Sequence, residues 1–191
     1  MNSQLDFKTH TFQFPPASPF TYYLDSSPDP FIANYLQLTP SDSFTPGTQV
    51  TATATGTPTA TVQFVYSGNP VSWIAQEDFG VPFIQQGEWT NDFYASVNQP
   101  VSTTNLKVSF YSRTTGGVET HLFDVLSPRV TLSTPAEVSG EATEITYSVN
   151  PTDRLVVKIF GQFTGTTVST TATLYFQGTT NASHIHSPIQ N

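Results

Sequence analysis

Short runs in which apolar and polar residues alternate recur along most of the chain. Val50-Thr-Ala-Thr-Ala-Thr55, Ala60 to Tyr66, Leu106 to Tyr111, Ile145 to Val149, Leu155 to Phe160 and Leu174 to Phe176 all follow the pattern. Successive side chains of a strand point to opposite faces, so a period of two predicts strands with one face buried. From Thr48 onward the runs return about every ten residues, the spacing of sandwiches and barrels. Gly56-Thr-Pro58, Gly68-Asn-Pro70, Gln99-Pro100, Thr114-Thr-Gly-Gly117 and Asn150-Pro151 supply the intervening turns. No segment has helical periodicity. Leu155-Val-Val-Lys-Ile-Phe160 is apolar on both faces apart from Lys158, which predicts a central strand. Trp89, Phe93 and Ala95 share one face of the run Trp89–Val97 and read as core. The fold expected is all-β: an antiparallel jelly-roll-like β-sandwich over residues 46–180. Two small domains meeting near Ser127-Pro128 are the competing partition.

Residues 1–45 break the pattern. Leu5 to Phe14 can form a strand, but Phe14-Pro-Pro-Ala-Ser-Pro-Phe20 and Leu24-Asp-Ser-Ser-Pro-Asp-Pro-Phe31 follow it. Proline donates nothing to a ladder, so this density favours extended or turn geometry over a central strand. The expectation is a proline-rich extended N-terminal arm or edge-strand region. Phe14, Phe20, Tyr22, Tyr23 and Phe31 are its contact residues, docked on a neighbouring subunit or folded as a flap over the chain's own sandwich. Residues 181–191 read as a C-terminal tail or linker.

Composition narrows the function classes. Apolar residues make up 37% of the 191, but aromatics reach 13%, so a few large rings carry the burial and the chain is not disordered. The net charge is −8 with no basic stripe, which excludes the phosphate-neutralising surface of a nucleic-acid binder and disfavours anionic membranes. Cys is absent, so neither a disulfide framework nor a thiolate metal site exists. No apolar run approaches transmembrane length, and the N-terminus lacks the pattern of a secretory signal, which predicts cytoplasmic synthesis without membrane insertion.

The candidate chemistry is sparse. There is no Gly-x-Ser-x-Gly, and the acid pairs Glu77-Asp78, Glu88 with Asp92, and Asp124 with Asp153 read as loop or surface charges, so no catalytic residues are assigned. Trp73, in Val71-Ser-Trp73-Ile74, can serve as a stacking platform for a carbohydrate ring. Ser183-His184-Ile185-His186-Ser187 is sharper. In an extended strand His184 and His186 lie on one side about 7 Å apart, placed to hold a transition metal. Two imidazoles leave a shell incomplete, and three pairs around the axis of a parallel trimer would close an octahedral site. A solvated polar tail is the plain reading of the same residues.

Ala172-Thr-Leu-Tyr-Phe-Gln-Gly-Thr-Thr-Asn-Ala-Ser-His-Ile-His186 resembles a segment of bacteriophage virion and tail-fibre proteins, in which a β-sandwich ends in a Tyr-Phe-x-Gly strand and a Ser-His-x-His linker. That resemblance implies a non-enzymatic virion structural protein: a fibre, appendage or capsid-decorating subunit located in the virion. It also implies a homo-oligomer, expected as a homotrimer, contacting other virion proteins, with His184 and His186 as axial metal ligands. A carbohydrate- or receptor-binding module, an adhesin using Trp73 on a host-surface glycan, is the alternative.

Overall fold

A computed structural model of the chain describes residues 20–42, 47–55, 59–100, 103–165, 169–178 and 180–189. Phe14 and the expected strand Leu5 to Phe14 lie outside them. Among the described residues there are sixteen strands and no helix. The first eight are β1 (Phe20–Pro28), β2 (Tyr35–Thr39), β3 (Thr48–Ala54), β4 (Thr59–Gln63), β5 (Val65–Tyr66), β6 (Asn69–Pro70), β7 (Ser72–Asp78) and β8 (Phe83–Ile84). The rest are β9 (Gly87–Val97), β10 (Thr103–Arg113), β11 (Glu119–Arg129), β12 (Ala136–Glu144), β13 (Tyr147–Ser148), β14 (Arg154–Thr164), β15 (Thr170–Phe176) and β16 (His184–Ser187).

Fourteen strands join one sheet, and β8 with β13 forms a separate small ladder. Alternation in the sequence becomes alternation of burial. Val50, Ala52 and Ala54 of β3 point inward, as do Thr170, Ala172, Leu174 and Phe176 of β15. β14 is central, as its two-sided apolar run predicts: β10 pairs with its whole length on one edge, and β7 then β4 on the other. Among the described residues, ladder pairs are antiparallel with one exception. β2 runs parallel to β7, which the long intervening segment through β3 to β6 allows. One expected strand is displaced. Ile145 is exposed, and β12 ends at Glu144.

The sheet turns back on itself. β12, paired with β9, also lies against β11 at the far end of the hydrogen-bonded path. Aromatic rings fill the space enclosed. Trp89 of β9 meets Phe110 of β10 and Phe123 of β11 with centroids 4.8 and 5.0 Å away, and Trp73 of β7 stands edge-on to Phe176 of β15 at 5.5 Å. Each such pair adds about 0.5–1.5 kcal/mol beyond area burial.

The expected arm and tail take a different form. Residues 20–39 supply β1 and β2 in mid-sheet, with Tyr22, Leu24, Leu36 and Leu38 in the core. The prolines fall at the ends of these strands, leaving Phe20 to Asp25 free to pair. Residues 184–187 form β16, inserted between β1 and β9, with Ile185 fully buried.

Candidate metal centre

Strand register assembles the site. β16 has β1 on one side and β9 on the other, so His184 is level with Tyr23 and Asp92, and His186 with Thr21 and Thr90. Ser183, Ile185 and Ser187 point inward, which turns both imidazoles to the outer face of the sheet. The entrance to β16 is pinned: Ser183 Oγ donates to the Tyr175 carbonyl at 2.5 Å and accepts from the Tyr94 amide at 3.0 Å. At the exit Pro188 sits on Gly87, where an added Cβ would lie 2.5 Å from the proline Cβ.

Asp92 joins the two histidines. Its Oδ2 is 3.5 Å from His184 Nε2 and 3.8 Å from His186 Nε2, and one ligand atom from each of the three residues lies within 4.8 Å of the others. The imidazole rings stand nearly perpendicular, 4.8 Å apart. All three side chains are partly exposed, so the site is open to solvent.

The remaining ring nitrogens are engaged. His184 Nδ1 lies 2.8 Å from the Ala182 carbonyl oxygen, which only accepts, so Nδ1 carries the proton and neutral His184 keeps its lone pair on Nε2. His186 Nδ1 lies 2.8 Å from Thr21 Oγ1, which accepts the ring proton when Nε2 is a ligand. Such partners orient metal-binding imidazoles and set their tautomer. A tetrahedral shell with bonds of about 2.0–2.1 Å places ligand atoms roughly 3.3 Å apart. The two carboxylate–imidazole distances are within a few tenths of an ångström of that. Two imidazoles and a carboxylate suit Zn²⁺ or another divalent transition metal, with coordination positions left for water.

Beside the cluster runs a groove of about 550 Å³ lined by Thr90, Asp92, Leu126, Pro128, Ser139, Gly140 and Glu141. On β12, Ser139 is level with Asp92 and Glu141 with Thr90, so the polar ladder continues across one more strand.

Other expected residues lie elsewhere. Trp73 is fully buried, with Nε1 donating to the Asp25 carbonyl at 3.2 Å, so it presents no ring face to a sugar. Phe20 packs on Tyr22 with centroids 4.6 Å apart, Tyr22 is buried, Tyr23 is half-buried beside His184, and Phe31 is exposed. Burial, then the charge of Glu77, pushes the Tyr22 phenol well above its ordinary range. Asp124 binds Ser109, Lys107 and His121, whereas Asp153 is buried on Ser112. Asp92 was legible only as a surface acid paired with Glu88, and Glu141 was not singled out; strand pairing sets Asp92 beside the histidines and Glu141 on the neighbouring strand.

No protein-family model and no curated protein sequence matches this chain. Solved structures do resemble it. An α-amino acid ester hydrolase, labelled with selenomethionine, has a TM-score of 0.61 at 13% identity, covering 97% of this chain and 38% of that one. An aminopeptidase from a marine sediment archaeon, Thaumarchaeota archaeon, has a TM-score of 0.60 at 10% identity, covering 92% of this chain and 37% of that one. A CocE/NonD family hydrolase from Staphylococcus aureus reaches 0.49 at 10% identity, over 94% and 38% of the respective chains. The chain therefore spans less than two-fifths of the length of these proteins, and at such identities the likeness is one of fold.

That likeness corrects the phage reading. The matched folds belong to hydrolases, and no family model or curated sequence supports a virion or tail-fibre family. The expectations of a non-enzymatic virion subunit or adhesin, and of a virion location, fall with it. The Tyr-Phe-x-Gly and Ser-His-x-His residues that carried the resemblance are here the end of β15 and an internal strand.

Proposed function

We propose that this chain is a jelly-roll-like β-sandwich module of hydrolase-type architecture, and that its functional centre is a divalent transition-metal site formed by Asp92, His184 and His186. The sandwich reading is supported by the contact of β11 with β12 and by rings of β9 packing on β10 and β11. The observation that carries the metal reading is the convergence of three ligand atoms within 4.8 Å while both remaining ring nitrogens are engaged. Asp92 comes from the same chain as the histidines, so this site needs no three-fold axis. The names of the matched proteins set the substrates to try first: α-amino acid esters and the N-terminal residues of peptides.

Titration calorimetry with Zn²⁺ tests the metal reading. One ion per chain is expected, with binding lost in His184→Ala and His186→Ala and weakened in Asp92→Asn. His121→Ala, remote from the cluster, should bind as the parent does. A parent protein that takes up no Zn²⁺, or His184→Ala binding as tightly as the parent, would overturn it.

A further inference from the structure

The metal centre and the groove share Asp92, and this adjacency carries an inference that rests on the metal reading above. We propose that the bound metal activates water for hydrolysis of small apolar carboxylic esters lodged in the groove, with Glu141 as the base. Three protein ligands leave room for a water, as hydrolytic zinc sites require, and the metal lowers the pKa of that water towards neutrality. Glu141 lines the same groove and is diagonal to Asp92 across the β9–β12 ladder. Diagonal neighbours have Cβ atoms about 7–8 Å apart. A carboxylate at that separation has room for one water between itself and a metal held by Asp92. Leu126 and Pro128 give the groove an apolar wall for an acyl chain, and Leu126 is half exposed, 52%.

The chemistry balances without a further reagent. Metal-bound water passes a proton to the Glu141 carboxylate, and its oxygen forms a bond to the ester carbonyl carbon. The bond from that carbon to the alkoxy oxygen then breaks, and the departing oxygen takes the proton from Glu141. A carboxylic acid, ionised at neutral pH, and an alcohol leave. Thr90 and Ser139 offer hydroxyls along the groove to hydrogen-bond the ester.

The probe is p-nitrophenyl butyrate, with Zn²⁺ uptake measured on the same samples by calorimetry. Turnover should follow the fraction of protein carrying Zn²⁺ and exceed that of the same concentration of free Zn²⁺. Glu141→Gln should lower kcat by about 10²-fold or more while Zn²⁺ binding stays unchanged, the loss expected for a missing general base. Leu126→Asp should raise KM for butyrate with little effect on Zn²⁺ uptake. Zinc-loaded protein no faster than free Zn²⁺, or Glu141→Gln with full turnover, overturns the hydrolytic role and leaves the metal site standing. A protein that takes up no Zn²⁺ overturns both.

Discussion

Ile185→Ala tests the fold and the site together. Ile185 is fully buried in a strand of only four residues, and the two residues beside it are the histidines. Truncation to Ala removes three carbons, a transfer loss of roughly 2.4 kcal/mol at about 0.8 kcal/mol per carbon. The cavity adds to this, because neighbours from β1 and β9 are held by their own ladders and cannot collapse inward; the total expected is about 3–4 kcal/mol. Against a domain stability of about 5–15 kcal/mol this is a large fraction. For a chain of this length it corresponds to a fall in Tm of roughly 6–16 °C. Guanidinium unfolding followed by tryptophan fluorescence measures it, since Trp73 and Trp89 both lie in the core. Zn²⁺ affinity should fall as well, because a loosened β16 no longer holds His184 and His186 against Asp92. Ile145→Ala is the control: Ile145 is exposed and should cost less than about 0.5 kcal/mol. A loss below about 1 kcal/mol for Ile185→Ala would refute the packing of β16.

Other outcomes are fixed by single contacts. Zn²⁺ at 100 times its Kd should stabilise the fold by about 2.7 kcal/mol, seen as a higher Tm that a chelator reverses and that His186→Ala abolishes. Gly87→Ala should destabilise by about 1–3 kcal/mol and weaken Zn²⁺ binding, because its Cβ meets Pro188 and displaces the exit of β16. Burial alone would raise the Asp29 carboxyl, but the Arg154 hydrogen bond, the Phe31 amide, the Arg154 charge and the Ile32 amide together hold it below its ordinary 3.8. A depressed carboxyl contributes stability above the ordinary value that is lost as pH falls through the folded one, so Arg154→Met should move acid unfolding to higher pH. At the other extreme, burial and then the Glu119 hydrogen bond and charge, against the opposing pull of Arg113, push the Tyr35 phenol up to about 12. Its contribution is full below pH 10 and is lost as pH rises through about 12, so Tyr35→Phe should flatten the alkaline limb of a stability–pH curve.

Much of the architecture was legible because the burial of a strand is written locally. β3, β9 and β15 follow their alternating residues, and the two-sided apolar run at Leu155 to Phe160 became the strand with neighbours on both edges. The N-terminal region was harder. Proline density argued for an arm, yet what decides pairing is where the prolines fall, and Phe20 to Asp25 contains none. Tyr22 and Leu24 then supply the inward alternation that places β1 beside β16. Trp73 illustrates the opposite error: it was read as an exposed stacking platform, but its strand lies between β14 and β2 and its ring packs edge-on to Phe176 in the core.

The site divides along the same line. His184 and His186 share a face by the period of two, a local property that the sequence states outright. Asp92 is different. Its outward orientation follows from the inward phase of Trp89 and Phe93, but its position beside the histidines depends on which residue of β9 faces which residue of β16. A slip of one residue in that pairing would place Asn91 or Phe93 opposite His184, and it would also turn Ile185 out of the core. The register is therefore enforced by burial of Ile185 and by the Ser183 hydrogen bonds, not by attraction between the ligands. The core of β16 and its outer face are coupled for this reason: the residue that keeps the strand in register lies between the two that would hold the metal.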